Sequence, residues 1–97
     1  MEERIQGINF DVSEKLTQFV NKKADKLMRR FPTIDYIDVV LRVVKPETAM
    51  NKETRVKVIV PHDGEQVATK TADTFEEGID LCLEAIERQL EKIKDKK

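Results

Sequence analysis

The fold is decided by residues 13–44, SEKLTQFVNKKADKLMRRFPTIDYIDVVLRVV, in which the spacing of apolar residues changes from three or four to two. Spacings of three and four place apolar side chains on one face of a helix, whereas a spacing of two places them on one face of a strand. The change falls near Pro32, and proline disfavours a helical conformation for the residue before it. This segment therefore predicts an amphipathic helix followed by a strand.

The predicted helix covers residues 13–31. Ser13 is a suitable N-cap, and Glu14 suits the positive end of the helix dipole. The apolar stripe of this helix, which Phe19 flanks, consists of Leu16, Val20, Ala24, Leu27, Met28 and Phe31. The strand that follows is predicted over residues 35–45, and its core-facing side chains are Ile37, Val39, Leu41 and Val43.

Two further strands are predicted after this segment. A polar loop is expected over residues 45–52, and a strand over residues 53–60 directs three valines inward: Val56, Val58 and Val60. Residues 61–64, Pro-His-Asp-Gly, are typical of a turn. Residues 65–72 are therefore expected to pair back as a hairpin strand.

A short strand is predicted before the segment, over residues 3–10. Ile5, Ile8 and Phe10 cannot share one face at a spacing of two. A bulge at Gly7 would bring the three side chains to a common face. We therefore expect the first strand to be irregular at this glycine.

A second long helix is predicted over residues 74–95, where Thr74 and Glu77 fit a capping box. Its apolar stripe, flanked by Leu83, consists of Phe75, Ile79, Cys82, Ile86, Leu90 and Ile93. The element order is then β-α-β-β-β-α. It predicts a single α+β domain over residues 1–97, with a four-stranded, mainly antiparallel sheet, two helices packed on one face and the first two strands parallel.

The composition limits the classes of function. The 97-residue chain is 39% hydrophobic and 38% charged, which is too apolar for a disordered tail and too charged for a membrane protein. Its acidic start lacks the apolar core of a secretory signal. One cysteine excludes an internal disulfide. Three glycines and one histidine weaken the hypothesis that the protein is an enzyme. We therefore expect a non-enzymatic protein of the reducing cytoplasm, without metal or cofactor.

The net charge of −1 conceals an uneven distribution. Residues 22–30 carry five basic groups and one acidic group, for +4, and residues 88–97 carry five basic and two acidic groups, for +3. The remaining 78 residues therefore sum to −8. Such asymmetry indicates an anionic partner, although solvated helix faces with no partner give the same pattern.

The predicted helices separate these charges from their apolar stripes. At ~100° per residue, one narrow sector of the first helix holds Lys15, Lys22, Lys26 and Arg29, with Lys23 and Arg30 beside it. The second helix has Arg88 and Lys92 on one flank, and on the other Glu77, Asp80, Glu84, Glu87 and Glu91. If the two basic sides meet, they form one continuous positive surface suited to a phosphate backbone, with the acidic flank turned away.

The sequence resembles a known family over essentially its whole length. The stretches that carry the resemblance are VSEKLTQFVNKKADKLMRRF (12–31) and IERQLEKIKDKK (86–97). The most specific motif is Arg-Gln-Leu-x-Lys-x-Lys at residues 88–94, preceded by Phe75 at the helix start and Ile79-Asp80 one turn later. These features resemble the ribosome hibernation-promoting factor family, which includes ribosome-associated translation inhibitors. The chain looks like the short form, which lacks the C-terminal dimerisation domain.

The resemblance implies a function and a set of site residues. Family members bind the small ribosomal subunit in the mRNA channel, block the tRNA sites and keep idle ribosomes intact in stationary phase. By position, the residues contacting rRNA phosphates would be Lys22, Lys23, Lys26, Arg29, Arg30, Arg88, Lys92, Lys94 and Lys96. We expect no DNA or membrane partner, and a monomer away from the ribosome.

An alternative function is a protein-interaction module that uses the open face of the sheet, where Val40, Val44 and Ile59 are expected. A small hydrolase on a similar scaffold is disfavoured because no anion-cradling loop is present. Cys82 lies on an apolar stripe and is expected to be buried, and His62 is expected to be a solvated turn residue.

Overall fold

The computed structural model of the chain describes residues 2–8, 10–44 and 50–95. The elements in chain order are β1 (Glu2–Ile8), α1 (Glu14–Arg30), β2 (Tyr36–Val43), β3 (Lys52–Val60), β4 (Gly64–Ala72) and α2 (Phe75–Asp95). This order and the α+β class are those that the hydrophobic periodicity predicts. The first part of the predicted polar loop, residues 45–49, lies outside the described residues.

The strands form one mixed sheet in the order β1-β2-β3-β4. β1 and β2 are parallel, whereas the β2–β3 and β3–β4 pairs are antiparallel. Parallel neighbours need a crossover connection, and α1 supplies it. Both helices pack against the face of the sheet that carries Val39 and Val56, and we call the other face the open face.

Local hydrogen bonds set the helix ends. The Ser13 Oγ accepts from the Leu16 N–H at 3.1 Å, which satisfies a donor in the first turn of α1. The Phe31 N–H donates to the Leu27 carbonyl at 2.9 Å, and Pro32 follows immediately. Thr74 caps α2 by accepting from the Glu77 N–H at 3.1 Å. The sequence signals at both N-termini are therefore confirmed.

The core lies between the sheet and the two helices. All predicted core residues of α1, except the half-buried Leu16 at its first turn, are buried, as are those of α2 up to Leu90. The innermost side chains, which are at most 1% exposed, include Val20, Ile34, Ile37, Val39, Leu41, Val56, Val58, Ile79 and Ile86.

The predicted bulge in β1 is wrong. The register with β2 is unbroken, from Glu2 opposite Tyr36 to Ile8 opposite Arg42. Ile5 therefore faces the helices, and Ile8 lies on the open face. Gly7 is needed instead because the chain folds back over it: a Cβ there would lie 2.7 Å from the Val12 Cγ2. This return places Phe10 against Phe75 of α2, with 4.7 Å between the ring centroids.

Helix α2 approaches the sheet closely at Gly78. A Cβ on this residue would lie 2.6 Å from the Thr54 Oγ1 on β3. That hydroxyl oxygen is buried and has no hydrogen-bond partner among the described residues. One turn further along α2, the Cys82 thiol donates to the Thr54 carbonyl at 3.2 Å, and burial raises its pKa to about 11. Cys82 is therefore an unreactive thiol within the core.

Candidate nucleic-acid interface

The outward side of α1 carries a row of cations. Four side chains make up this surface, which we call the basic ridge: Lys15, Lys22, Lys26 and Arg29. All four are exposed, and none forms an ion pair with a residue that the structure describes. Their positions lie opposite the buried residues of α1, and Lys26 also borders the groove between the helices, beside Asp80 and Glu87.

Two other cations of α1 face α2. The Lys23 Nζ lies 3.2 Å from the Asp80 Oδ1, and the Arg30 guanidinium contacts Glu87 at 3.2 Å and also contacts Glu91. Each cation also lies over an aromatic ring, with Lys23 5.4 Å from the Phe19 centroid. We call this line of ion pairs between the helices the seam.

The seam contradicts the expectation of one continuous positive surface with the acidic flank turned away. The acidic flank of α2 faces α1. The reason is the position in which α2 packs on β3 and β4. There the Gln89 side-chain amide donates to the Val67 carbonyl at the sheet edge. With Gln89 at that edge, the opposite flank, which carries Asp80, Glu87 and Glu91, lies toward α1.

The basic residues of α2 lie away from the seam. Arg88 is 74% exposed in its side chain and pairs with Glu84 one turn earlier at 2.6 Å. Lys92 is exposed and has no ion pair among the described residues. Lys94 belongs to the last turn of α2, and Lys96 lies outside the described residues. The structure thus separates the predicted site residues into an unpaired ridge, a paired seam and a group on α2.

The open face carries the residues of the alternative hypothesis, a protein-interaction surface. Val40 and Ile59 are half-buried on this face, and Val44 follows β2, where its N–H donates to the Asn51 carbonyl at 2.9 Å. The face also carries charged pairs, among them Arg42 with Glu53 at 3.1 Å. It is therefore a mixed surface rather than a broad apolar patch.

Residues 2–8, 10–44 and 50–95 offer little support for a metal site or a membrane span. No group of three or more His, Cys, Asp or Glu side chains in these ranges is placed to hold a metal ion. No helix within the same ranges has the length and apolar character needed to cross a bilayer. His62, in the exposed turn between β3 and β4, has a positive φ of 73°.

The fold is that of a small α+β protein, and one side of its first helix carries a row of exposed cations. Residues 4–97 match the family described as Sigma 54 modulation protein / S30EA ribosomal protein, and the chain belongs to this family. The resemblance found in the two helices is thereby confirmed.

Relatives with assigned names cover nearly the whole chain. Ribosome hibernation promoting factor of Escherichia coli K12 is 32% identical over 96 residues, which cover 99% of this chain and 96% of that protein. The protein of the same name from Azotobacter vinelandii is 29% identical over 96 residues, covering 99% of this chain and 85% of its own length.

Solved structures share the fold at lower identity. A ribosomal subunit interface protein from Coxiella burnetii superposes with a TM-score of 0.85 at 22% identity, covering 98% of this chain and 99% of that one. The N-terminal domain of Thermus thermophilus Protein Y gives a TM-score of 0.77 at 19% identity, with coverages of 93% and 94%. The architecture is thus common to proteins that have diverged widely in sequence.

Proposed function

We propose that this chain binds the small ribosomal subunit in the cytoplasm and represses translation by occupying the path of tRNA and mRNA. Family membership and the names of the relatives support an association with idle ribosomes. The observation that carries the proposal is the basic ridge, an exposed row of cations without described ion pairs. Binding and steric exclusion suffice for this function, and no catalytic step is required.

The ridge has the length and charge to follow an rRNA backbone. From Lys15 to Arg29 it extends over about 21 Å at the ~1.5 Å rise per residue of a helix. Lysine and arginine side chains in such a row neutralise phosphates and release condensed counterions. The binding energy is therefore electrostatic, whereas the block on translation is steric because the folded body fills the space that tRNA needs.

The proposed contacts differ in their cost. Lys22, Lys26 and Arg29 meet phosphates without losing a partner. Lys23 and Arg30 reach rRNA only by sharing or leaving the carboxylates of the seam. Arg88 and Lys92 extend the surface on α2, and Lys94 and Lys96 stay predictions. We therefore assign the largest share of binding to the ridge.

Co-sedimentation with purified small ribosomal subunits tests the function. We expect binding at low salt that falls steeply as salt rises. The plot of log affinity against log salt concentration should have a slope of about −0.7 to −0.9 for each neutralised phosphate. We also expect tRNA in the P site to displace the protein. Absence of binding at low salt would overturn the proposal.

A matched pair of variants tests the site. Lys26→Glu on the ridge and Lys70→Glu on β4 change the net charge equally, and both residues are exposed. We expect Lys26→Glu to weaken subunit binding by about tenfold and Lys70→Glu to leave it nearly unchanged. Equal losses would show that total charge, not the ridge, governs binding. Binding that resists high salt and is lost on Ile59→Asp would instead favour a protein contact through the open face.

A further inference from the structure

A small notch lies on the open face, on the opposite side of the sheet from the basic ridge. It has a volume of about 70 Å³ and is lined by Asp38, Val40, Arg55 and Lys57. A single water molecule needs only about 10–15 Å³ of such space, so the notch is larger than a site for one water. A hydrogen-bonding edge of a ligand therefore fits inside, while the rest of the ligand lies on the sheet surface.

The notch contains an unused acceptor. The Asp38 Oδ1 is buried and has no hydrogen-bond partner among the described residues. A buried carboxylate oxygen without a donor costs free energy that a ligand donor recovers. Because this oxygen is closed to solvent as it stands, a donor in the notch reaches it only after the Asp38 carboxylate rotates. An occupant of the notch then carries N–H or O–H groups directed at Asp38.

The charges around Asp38 define the rest of the ligand. Arg4 and Lys57 lie directly opposite Asp38 on the two neighbouring strands, and Arg55 lines the notch. Of these cations, Lys57 has an acidic neighbour in Glu65, whose Oε1 is 3.9 Å from the Lys57 Nζ. Three cations around one carboxylate repel an arginine or lysine ligand. They favour an anion that also has donor groups, which is the chemistry of a nucleotide.

The surface beside the notch suits a flat ring. Tyr36 precedes Asp38 by two residues on β2 and shares its face, about 7 Å away along the strand. Ile59 lies opposite Tyr36 on β3, and Val40 follows on the other side of Asp38. A base that stacks on Tyr36 can thus direct its Watson–Crick edge at the carboxylate.

We propose that the sheet notch binds one unpaired guanine of a single-stranded RNA. Guanine fits because its N1–H and N2–H₂ groups point the same way and both can donate to one carboxylate. Uracil offers a single N–H at that edge, and adenine and cytosine each offer a single amino group. Arg55, Lys57 and Arg4 contact the flanking phosphates. The site is separate from the ridge, so it does not depend on the proposed contact with the small subunit.

Fluorescence anisotropy with nine-nucleotide RNAs tests the notch. The probes are all-uridine, or uridine with one central guanosine or inosine, and inosine lacks the 2-amino group. We expect the guanosine probe to bind about tenfold more tightly than the all-uridine probe, with inosine between them. Equal affinities for the three probes would overturn the proposal and leave the open face to a protein partner.

Variants assign the preference to Asp38. Asp38→Asn should bring the guanosine-to-uridine ratio close to one while binding of the uridine probe stays within about twofold. Glu53→Gln is the matched control, since it removes the same charge on the same face and should keep the ratio. Should Asp38→Asn fail to fold, Tyr36→Leu provides a second test through lost stacking. A ratio unchanged in both variants would also overturn the proposal.

Lys26→Glu separates the notch from the ridge. This variant should weaken binding to the small subunit and leave the order of the three probes unchanged. A wild-type protein that fails to bind the small subunit but prefers the guanosine probe would overturn the proposed function and keep the notch. A wild-type protein that binds the subunit without this preference would overturn the notch alone.

Discussion

The two helices lie side by side on one sheet and have similar apolar stripes, yet they carry opposite charges. α1 has six basic and two acidic residues, for +4, whereas α2 has three basic and seven acidic residues, for −4. The net charge of −1 for the whole chain hides this contrast. A nearly neutral protein can therefore present a strongly cationic helix, provided that the neighbouring helix holds the compensating charge.

The cations of α1 fall into two groups with different contacts. Two of them, Lys23 and Arg30, hold the helices together through the seam, and the four ridge residues stay available to a ligand. The acids of α2 thus stabilise the fold, but they also lower the positive potential next to the ridge.

The largest effect is expected from reversing charge on the ridge. Lys26→Glu with Arg29→Glu should weaken small-subunit binding by more than about 100-fold, because two attractions become repulsions. The same exchange on α2, Arg88→Glu with Lys92→Glu, should cost about tenfold, since Arg88 already pairs with Glu84. Sedimentation at one fixed salt concentration measures both. Equal losses would contradict the contrast between the helices.

The next effect concerns the close approach of α2 to the sheet at Gly78. Gly78→Ala should lower the free energy of unfolding by about 1–3 kcal/mol, because the new methyl group meets the Thr54 hydroxyl. In a Thr54→Ala background the same change should cost much less, and the higher helix propensity of alanine adds to this recovery. Urea unfolding of the four proteins gives the coupling. Equal costs in both backgrounds would show that another contact limits the approach.

The seam should give smaller, opposite changes in stability and binding. Glu87→Gln with Glu91→Gln frees Arg30 and should lower the free energy of unfolding by about 1 kcal/mol, less at high salt. The freed arginine should strengthen RNA binding about threefold. Glu76→Gln with Glu77→Gln, in the first turn of α2, is a control for the change in net charge. Equal gains in binding from both pairs would point to overall charge rather than to the seam.

The smallest effect arises where α1 meets β1. Burial, and then the nearby Asp25 carboxylate, raises the pKa of Glu3, so ionised Glu3 opposes folding. The free energy of unfolding of the wild-type protein therefore rises as Glu3 becomes protonated, which happens as the pH falls through the folded-state pKa of this residue. Glu3→Gln should stabilise the protein at pH 7 by less than about 0.5 kcal/mol, and this gain should vanish near pH 3. Melting temperatures across this range provide the check, and a gain independent of pH would contradict it.

Periodicity was sufficient to predict the elements, their order and the composition of the ridge, because these depend on spacing within one helix or strand. Lys22, Lys26 and Arg29 share a face whatever packs beneath them. The partners of Lys23 and Arg30 depend on which flank of α2 faces α1, and that follows from the seat of α2 on β3 and β4. Spacing within a helix contains no information on this choice.

Long-range packing also explains the other differences. Gly7 resembles a bulge residue in the sequence, but it serves the fold-back of Phe10 and Val12. Asp38 gives no signal beyond alternation, because the surroundings of its carboxylate depend on both neighbouring strands, which spacing within β2 does not describe.

The buried thiol of Cys82 makes the protein its own reporter of opening. With its sulfur hydrogen-bonded beneath α2 and its pKa near 11, the thiol reacts with an alkylating reagent only when α2 lifts from the sheet. The rate of labelling therefore measures how often the helix detaches, with no engineered probe. A ligand that clamps both helices would slow this reaction, whereas one held by the ridge alone would leave it unchanged.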